Sequence, residues 1–211
     1  MSRIYAGLAI AAVAGLIGGS ALWVMTAQGP SDAFAACRSG AVGGDIGGPF
    51  TLTDETGRTV TDKDVLAKPS LVYFGYTFCP DVCPLDNARN AEAIDLLETR
   101  GYDVTPVFIS IDPDRDTPAV LADFTDNLHP KMIGLTGTPD QVKAASRAYK
   151  TYYKEQEGGD PEFYLMDHST FTYLMLPGTG FAEFFKRDDT PEQMADRVAC
   201  YVDAAKAVAQ N

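Results

Sequence analysis

The stretch from Ser70 to Tyr76 constrains the fold more than any other part of this 211-residue chain. It reads Ser-Leu-Val-Tyr-Phe-Gly-Tyr, an apolar run rich in strand-forming residues, in which polar and apolar positions do not alternate. Such a run is typical of a strand whose two faces are both buried, as in a sheet covered by helices. The chain is therefore expected to fold around a central sheet.

Strand-like and helix-like segments alternate along the rest of the chain. Thr-Pro pairs open three of the predicted helices, because a threonine can cap a helix whose first residue is proline. The pattern predicts an α/β domain with a central, partly parallel sheet that ends in antiparallel strands and is therefore mixed. The predicted strands are 50–53 and 59–60 (a hairpin turning at Gly57), 70–76, 104–111, 132–135, 163–165, 171–176 and 181–185, and the predicted helices are 84–100, 117–128, 138–152 and 190 to near the C-terminus.

The N-terminal region contains an apolar stretch long enough to cross a lipid bilayer. Residues 4–27 carry no charged side chain, and about 20 apolar residues span the hydrocarbon core. Arg3 on the short flank predicts a cytoplasmic N-terminus and a domain in the periplasm or an equivalent intermembrane space. Three regions are predicted: a transmembrane anchor at 1–27, a linker at 28–48 and one domain at 49–211.

A cleaved secretory signal is the alternative to a retained anchor. Ala33-Phe34-Ala35 has the small-x-small form of a cleavage site, but it lies far beyond the apolar run. Cys37 faintly resembles a lipoprotein acceptor, although Phe34 and the same distance count against that interpretation. Both main alternatives, anchor and cleaved signal, leave the domain outside the cytoplasm.

The charge of the chain argues against a nucleic-acid partner. Seventeen Lys and Arg residues stand against 29 Asp and Glu residues, and the formal net charge is −12. Nucleic-acid phosphates require a basic surface, which this composition does not offer. An acidic surface could attract metal cations or a basic partner, or could serve solubility alone.

Cys79 and Cys83 lie between the apolar strand and the helix that follows it, in the string Cys-Pro-Asp-Val-Cys-Pro. Open α/β sheets place their binding and catalytic residues at this junction. Pro80 and Pro84 disfavour helical backbone in the residues before them, so Cys79 is predicted in the loop, Cys83 at the N-cap and Pro84 at the first helical position. The positive end of the helix dipole predicts a pKa below that of a free thiol for Cys83.

The spacing of the two thiols permits either a redox-active disulfide or a metal site. Three residues separate them, one more than in the usual thiol-disulfide exchange enzymes. His168 lies in a polar break between two strand-like runs and is predicted at a loop tip, whereas His129 follows a helix and is expected to cap it or to face solvent. Two thiolates and the imidazole of His168 suit Cu(I) and tolerate Cu(II), while a structural zinc site would require a fourth ligand. The residues alone also allow His168 to be an ordinary loop histidine.

Cys37 and Cys200 remain once the active pair is set aside. One lies in the predicted linker and the other late in the last helix. A structural disulfide between them would tie the two ends of the domain together. Two free buried thiols, or a lipidated Cys37, are the alternatives.

Several strings of residues carry a resemblance to a known family. They are Gly-Gly-Pro-Phe-Thr-Leu at 47–52, Gly-Tyr-Thr-Phe-Cys-Pro-Asp-Val-Cys-Pro at 75–84, Ile-Ser-Ile-Asp-Pro-Asp-Arg-Asp-Thr-Pro at 109–118, and Asp-His-Ser at 167–169. These strings resemble the Sco/SenC proteins, which are copper chaperones for cytochrome c oxidase assembly. The resemblance implies a thioredoxin-like fold behind one transmembrane helix, with Cys79, Cys83 and His168 as copper ligands.

The resemblance also implies two candidate functions. The first is a metallochaperone without turnover, which binds one ion of Cu(I) or Cu(II) and delivers it to the binuclear centre of oxidase subunit II, with another copper chaperone as donor. The second is a thiol-disulfide oxidoreductase that reduces the cysteines of that centre, one of Cys79 and Cys83 attacking and the other resolving. His168 discriminates between them, because exchange chemistry does not need it. The charged residues Asp112, Asp114, Arg115 and Asp116 are expected either to steer docking or to form a solvated loop.

Overall fold

A computed structural model of the chain describes residues 33–38, 40, 44–158 and 163–210. From Cys37 onward the chain forms one compact unit. Within the described residues, no helix combines the length and apolar character that crossing a membrane requires. The predicted anchor at 4–27 lies outside the described residues, so the anchor and the regions 1–27, 28–48 and 49–211 stay predictions.

The described secondary structure alternates strands and helices, as the Thr-Pro helix starts and apolar runs predict. Thr117, Thr138 and Thr190 each cap a helix by accepting a hydrogen bond from a backbone N–H three residues on. In chain order the elements are β1 (Thr51–Asp54), β2 (Thr59–Thr61), α1 (Asp62–Val65), β3 (Ser70–Gly75), α2 (Val82–Thr99), β4 (Thr105–Ser110), α3 (Pro118–Asp126), β5 (Ile133–Thr136), α4 (Pro139–Ala148), β6 (Tyr153–Glu155), β7 (Met166–His168), β8 (Thr172–Leu176), β9 (Gly180–Phe185) and α5 (Pro191–Ala209).

In the described part of the chain, seven strands form one mixed sheet in the order β2-β1-β5-β4-β3-β8-β9. Strands β3, β4 and β5 run parallel, while β1, β2, β8 and β9 add antiparallel pairs at the two sides. The prediction of an α/β domain around a mixed sheet is thus confirmed. Strands β6 and β7 form a separate two-stranded sheet, a hairpin that carries His168.

The apolar run at 70–76 lies near the middle of the sheet, as its composition predicts. Every residue of β3 is buried, and its ladder partners are β4 on one side and β8 on the other. Tyr73 and Phe74 are fully enclosed in the core because helices cover both faces of the sheet. This burial fixes the carboxyl end of β3, from which the cysteine loop departs.

The hairpin formed by β6 and β7 departs from the predicted pattern. A strand was expected at 163–165, but Phe163 is exposed and the strand begins at Met166. His168 is therefore the last residue of β7, paired with Tyr153, and not the tip of a loop. The helix expected to reach Tyr152 ends at Ala148, which frees residues 153–155 to form β6.

Cys37 and Cys200 are joined in a disulfide, with an S–S distance of 2.00 Å. The bond connects the start of the compact unit to α5 across a sequence separation of 163 residues. A sulfur atom in a disulfide has no free thiol to carry a lipid, so this geometry disfavours the lipoprotein alternative for Cys37. The segment just before β1 contacts the end of α4, because the N–H of Gly47 donates to the carbonyl oxygen of Ala148.

Candidate metal centre

The two free cysteines lie where β3 gives way to α2. Both are buried, Cys83 completely and Cys79 with 6% of its surface exposed. Gly75 ends β3 directly beneath them, and a Cβ atom at this position would stand 2.8 Å from the Cys83 Sγ. A residue without a side chain is therefore required there for the sulfur to occupy its place.

The helix begins two residues earlier than the prolines predict. Val82 is its first residue and Asp81 its N-cap, so Cys83 lies inside the first turn and Pro84 takes the third helical position. The prediction of Cys83 as N-cap is wrong because the first N–H groups of a helix have no intrahelical partner, which lets a proline sit later in the first turn. The Asp81 side chain does not cap the helix; instead, the Cys79 Sγ accepts a hydrogen bond from the Cys83 N–H at 3.3 Å.

His168 reaches the cysteines from the end of β7. Its Nδ1 lies 2.9 Å from the carbonyl oxygen of Ser169, which can only accept, so Nδ1 carries the proton and Nε2 has a free lone pair. Nε2 lies 3.4 Å from the Cys83 Sγ. The rings of Tyr73 and Tyr76 meet the imidazole edge-on, with centroid distances of 6.3 and 5.8 Å, and hold its orientation.

The two thiols differ in acidity, and the order reverses the prediction. A hydrogen bond from the Cys83 thiol lowers the pKa of Cys79 against the opposing effect of burial. The pKa of Cys83 is raised, because its proton is shared with Cys79 and because the side chain is buried. The expectation of an acidic Cys83 is wrong because the hydrogen bond to Cys79 and burial both keep the proton on Cys83, and the Cys79 sulfur, which also accepts the Cys83 N–H, becomes the thiolate.

Three ligand atoms thus converge at the carboxyl end of the sheet. The Sγ atoms of Cys79 and Cys83 and a ring nitrogen of His168 all lie within 4.8 Å of one another. An open cleft of about 270 Å³, lined by Cys79, His168 and exposed Asp81, leads to them. The arrangement can bind a soft metal ion, or it can carry out thiol-disulfide chemistry.

The charged residues after β4 are not a solvated loop. Asp112 and Asp116 are buried, and Arg115 keeps only 12% of its side-chain surface exposed. Asp116 accepts hydrogen bonds from the backbone N–H and the hydroxyl of Thr77, at 3.1 and 2.6 Å, and from the Ser110 hydroxyl at 2.6 Å. These contacts tie the loop after β4 to the segment that leads to Cys79. Asp114 alone of the four charged residues is exposed.

His129 was expected either to cap a helix or to face solvent. It is buried, so the expectation that it faces solvent is wrong. Its Nδ1 accepts the N–H of Lys131 at 3.1 Å, and its Nε2 lies 3.4 Å from a carboxylate oxygen of Asp95. These contacts hold the turn after α3 against α2. His129 is not among the residues grouped with Cys79 and Cys83.

Tyr164 is the residue of this region that sequence reasoning missed. Its hydroxyl donates to Asp112 Oδ1 at 2.6 Å, and its ring lies against the guanidinium of Arg115. The adjacent Asp-Pro-Asp-Arg-Asp-Thr-Pro string was a signal of this region, but no pattern within one string could name a partner about 50 residues away.

Comparisons with known proteins agree on one family. The family model described as SCO1/SenC matches residues 39–203. A protein named SenC from Rhodobacter capsulatus is 58% identical over 205 residues, which cover 96% of this chain and 92% of that protein.

Solved structures show the same fold. The copper-bound crystal structure of Arabidopsis thaliana ScoI is similar with a TM-score of 0.71 and 41% identity, over 75% of this chain and 99% of that one. A structure of BsSco, described as a member of the Sco family of cytochrome c oxidase assembly proteins with a disulfide switch, matches with a TM-score of 0.60 and 25% identity, over 75% and 91% of the two chains. The expected thioredoxin-like Sco fold with its mixed sheet is confirmed.

Proposed function

Because this chain belongs to the SCO1/SenC family, we propose that it is a copper chaperone for cytochrome c oxidase that binds one copper ion through Cys79, Cys83 and His168. The observation that carries the proposal is the convergence of two sulfur atoms and an imidazole nitrogen within 4.8 Å. The copper-bound structure of the similar ScoI supports the choice of metal.

The donor set fits copper better than the other common metals. Thiolate sulfur and imidazole nitrogen are soft and intermediate ligands, which Cu(I) prefers, and the nitrogen also accommodates Cu(II). A structural zinc site requires four ligands, whereas the group found among the described residues contains three. Hard cations such as Mg²⁺ prefer oxygen ligands, which the group lacks.

The residues around the site prepare it for binding and release of the ion as cargo. The hydrogen bonds to the Cys79 Sγ favour the thiolate before the metal arrives, which lowers the cost of deprotonation on binding. Nδ1 of His168 is held by Ser169, so Nε2 is presented to the ion in a fixed orientation. Cys83 is enclosed, whereas Cys79 and His168 line the cleft. An acceptor's ligands therefore displace Cys79 and His168 first and Cys83 last.

The surface around the cleft supports delivery to a protein partner. Five of the seven exposed large apolar side chains among the described residues lie within five positions of a ligand: Phe78, Leu85, Phe163, Leu165 and Phe171. Exposed apolar side chains concentrated in this way are typical of protein-protein interfaces. Asp81 and Asp167 are exposed beside them, so the partner surface is expected to be apolar with a basic rim. We propose cytochrome c oxidase subunit II as the acceptor and another copper chaperone as the donor.

The proposal includes location in the inner membrane, with the copper domain in the periplasm or an equivalent intermembrane space. It rests on the apolar stretch at 4–27 behind Arg3. The Cys37–Cys200 disulfide supports it, since disulfides persist in oxidising compartments. Extraction of cell membranes with salt and alkali measures this: the full-length chain should stay in the pellet, and a soluble chain beginning near residue 36 would show a cleaved signal.

A copper-binding experiment on the reduced full-length protein tests the proposed ligands. Wild type should bind one copper ion in each redox state, and Cys79→Ser or Cys83→Ser should abolish tight binding, because no nearby group replaces the lost thiolate. His168→Ala should retain Cu(I), which tolerates two ligands, and lose Cu(II) first. Full binding of both states and full oxidase activity by His168→Ala would overturn its assignment as a ligand.

A thiol-disulfide oxidoreductase that reduces the oxidase copper site is the second candidate function. The acidity difference between Cys79 and Cys83 favours it, because exchange needs a thiolate to attack and a second thiol to resolve. Cys83→Ser should then trap a mixed disulfide between Cys79 and a peptide whose target cysteines are joined in a disulfide, with the other target cysteine released as a thiol, whereas Cys79→Ser should not. Equal trapping by both variants, or trapping by neither, would count against this function.

A further inference from the structure

Among the described residues, the hairpin that carries His168 does not join the main sheet by strand pairing. Strands β6 and β7 form their own two-stranded sheet, while the cysteines depend on β3 and α2 of the central layer. An isolated two-stranded sheet is only marginally stable in water. The distance between His168 and the two sulfur atoms must therefore be maintained by side-chain contacts between the hairpin and the rest of the domain.

Arg115 makes the most extensive of these contacts. Its Nε donates to Asp112 Oδ2 at 2.6 Å and its Nη1 donates to the carbonyl oxygen of Tyr164 at 2.9 Å. Its guanidinium carbon lies 3.5 Å from the ring centroid of Tyr164 and 4.8 Å from that of Phe78. One side chain thus contacts the loop after β4, the segment entering β7 and the cysteine loop.

The contacts close into a ring. The Tyr164 hydroxyl donates to Asp112 Oδ1 at 2.6 Å, while Asp112 Oδ2 accepts from Arg115. Asp112 is 3% exposed and Arg115 12%, so the charges are partly desolvated and their hydrogen bonds are stronger than those of a surface pair. A planar guanidinium is suited to this place because it can stack between two rings while donating in its own plane.

The two aromatic residues that the Arg115 guanidinium stacks against lie close in sequence to the metal ligands. Phe78 directly precedes Cys79, and Tyr164 is four residues before His168. Near the ligands, the hairpin also contacts the domain through a hydrogen bond at 3.2 Å from the Met166 N–H to the Tyr76 hydroxyl, and through the edge-on contacts of His168 with the rings of Tyr73 and Tyr76. A loss of the Arg115 contacts would leave only these weaker contacts to hold β7 against the cysteine loop, so the position of His168 would be less fixed.

We propose that Arg115 is a positioning residue, which sets the place of His168 relative to Cys79 and Cys83 by joining Tyr164 to Phe78 and Asp112. The inference rests on the proposed copper site. Arg115 does not touch the ligand atoms, so its effect passes through His168. It should alter the metal state that needs the imidazole, Cu(II), more than the state that two thiolates can hold, Cu(I).

A double-mutant cycle distinguishes positioning from general stabilisation. Dissociation constants for Cu(II) and Cu(I) are measured by competition for the reduced full-length wild type, Arg115→Ala, His168→Ala and the double variant. Arg115→Ala should weaken Cu(II) binding about 10- to 100-fold when His168 is present, the range for residues that support a ligand. It should change Cu(II) binding less than about 3-fold in the His168→Ala background, and Cu(I) binding little in either, because coupled residues are not additive.

Two further arginine variants and a measurement on the copper-free protein serve as controls. Arg100→Ala removes an exposed ion pair to Asp196 at the far end of α2 and should leave both copper constants unchanged. Arg115→Lys keeps the charge but not the fork or the stacking, and should weaken Cu(II) binding less than alanine does. In the copper-free protein, amide hydrogen exchange should accelerate at 164–168 in Arg115→Lys and Arg115→Ala and stay unchanged in α5.

The outcomes separate the inference from the proposed function. Suppose that wild type binds copper and that His168→Ala weakens Cu(II) binding. If Arg115→Ala or Arg115→Lys then leaves Cu(II) binding intact, or weakens it equally with and without His168, the positioning role is refuted and the copper site stands. If wild type binds copper in neither state, the proposed function fails, and the exchange experiment alone then decides whether Arg115 holds the hairpin.

Discussion

Gly75→Ala is expected to damage the metal site by displacing one sulfur atom. The added Cβ would stand 2.8 Å from the Cys83 Sγ, 2.9 Å from Tyr73 Cε1 and 3.1 Å from Phe108 Cε2. Ordinary contact between such atoms needs about 3.5–4.0 Å, so the sulfur has to move by roughly 0.7 Å or more. All three neighbours are buried and closely packed, which leaves the shift no free space.

The size of this shift sets the expected effect on copper. Functional groups must be held within about 0.5 Å of their productive geometry, and the shift exceeds this tolerance. Because both copper states need the Cys83 sulfur, Gly75→Ala should weaken Cu(I) and Cu(II) binding together, by about tenfold or more. Overpacking should also lower the free energy of unfolding by about 1–3 kcal/mol.

Gly134→Ala provides the matched control. It introduces a similar clash in β5, 3.1 Å from Leu121 Cβ and 3.1 Å from Thr125 Cγ2, away from the ligands. Copper competition and urea unfolding would be measured for both variants. The control should lose stability and keep its copper affinity. Normal copper binding by Gly75→Ala, or equal loss of affinity in both variants, would refute the argument that Gly75 makes room for the sulfur.

Two further predictions concern stability. Cys37→Ser should lower the free energy of unfolding, measured in urea, by up to about 5 kcal/mol, which is the chain-entropy value for a loop of this length, and should leave copper affinity unchanged. An unchanged unfolding midpoint would show that the Cys37–Cys200 bond contributes nothing to stability. Burial raises the pKa of Asp116 above its ordinary value near 3.8, so its ionisation costs folding free energy as the pH rises from that value through the raised pKa. Asp116→Asn should remove this loss, so the free energy of unfolding of wild type, measured in urea, should fall relative to that of the variant across this pH range. A difference in unfolding free energy that stays constant, or that grows in favour of wild type, would contradict the prediction.

The central sheet and the cysteine loop could be predicted from sequence because their signals are local. The uninterrupted apolar run at 70–76 can be satisfied only by a strand buried on both faces, and each Thr-Pro pair marks a helix start by the chemistry of two adjacent residues. The place of Cys79 and Cys83 at the junction of strand and helix follows from the same signals, although Cys83 lies within the first turn of the helix.

The features that sequence reasoning missed depend on contacts between distant residues. The stacking of Tyr164 on Arg115 and the pairing of His129 with Asp95 join segments that no periodicity connects. The acidity order of the thiols depends on the hydrogen bond from the Cys83 thiol to Cys79 and on the burial of Cys83, and Pro84 alone determines neither. The strand expected at 163–165 is displaced because Tyr164 turns toward Asp112 and does not enter a ladder.

X-ray absorption spectroscopy of the copper-loaded protein tests the central claim most directly. The Cu(I) and Cu(II) forms of wild type should each show two sulfur ligands and one imidazole nitrogen. His168→Ala should lose the imidazole signal and keep both sulfurs in the Cu(I) form, and Cys79→Ser should lose one sulfur. An imidazole signal that survives in His168→Ala, or a wild-type spectrum with fewer than two sulfur ligands, would contradict the assignment of Cys79, Cys83 and His168 as the copper site.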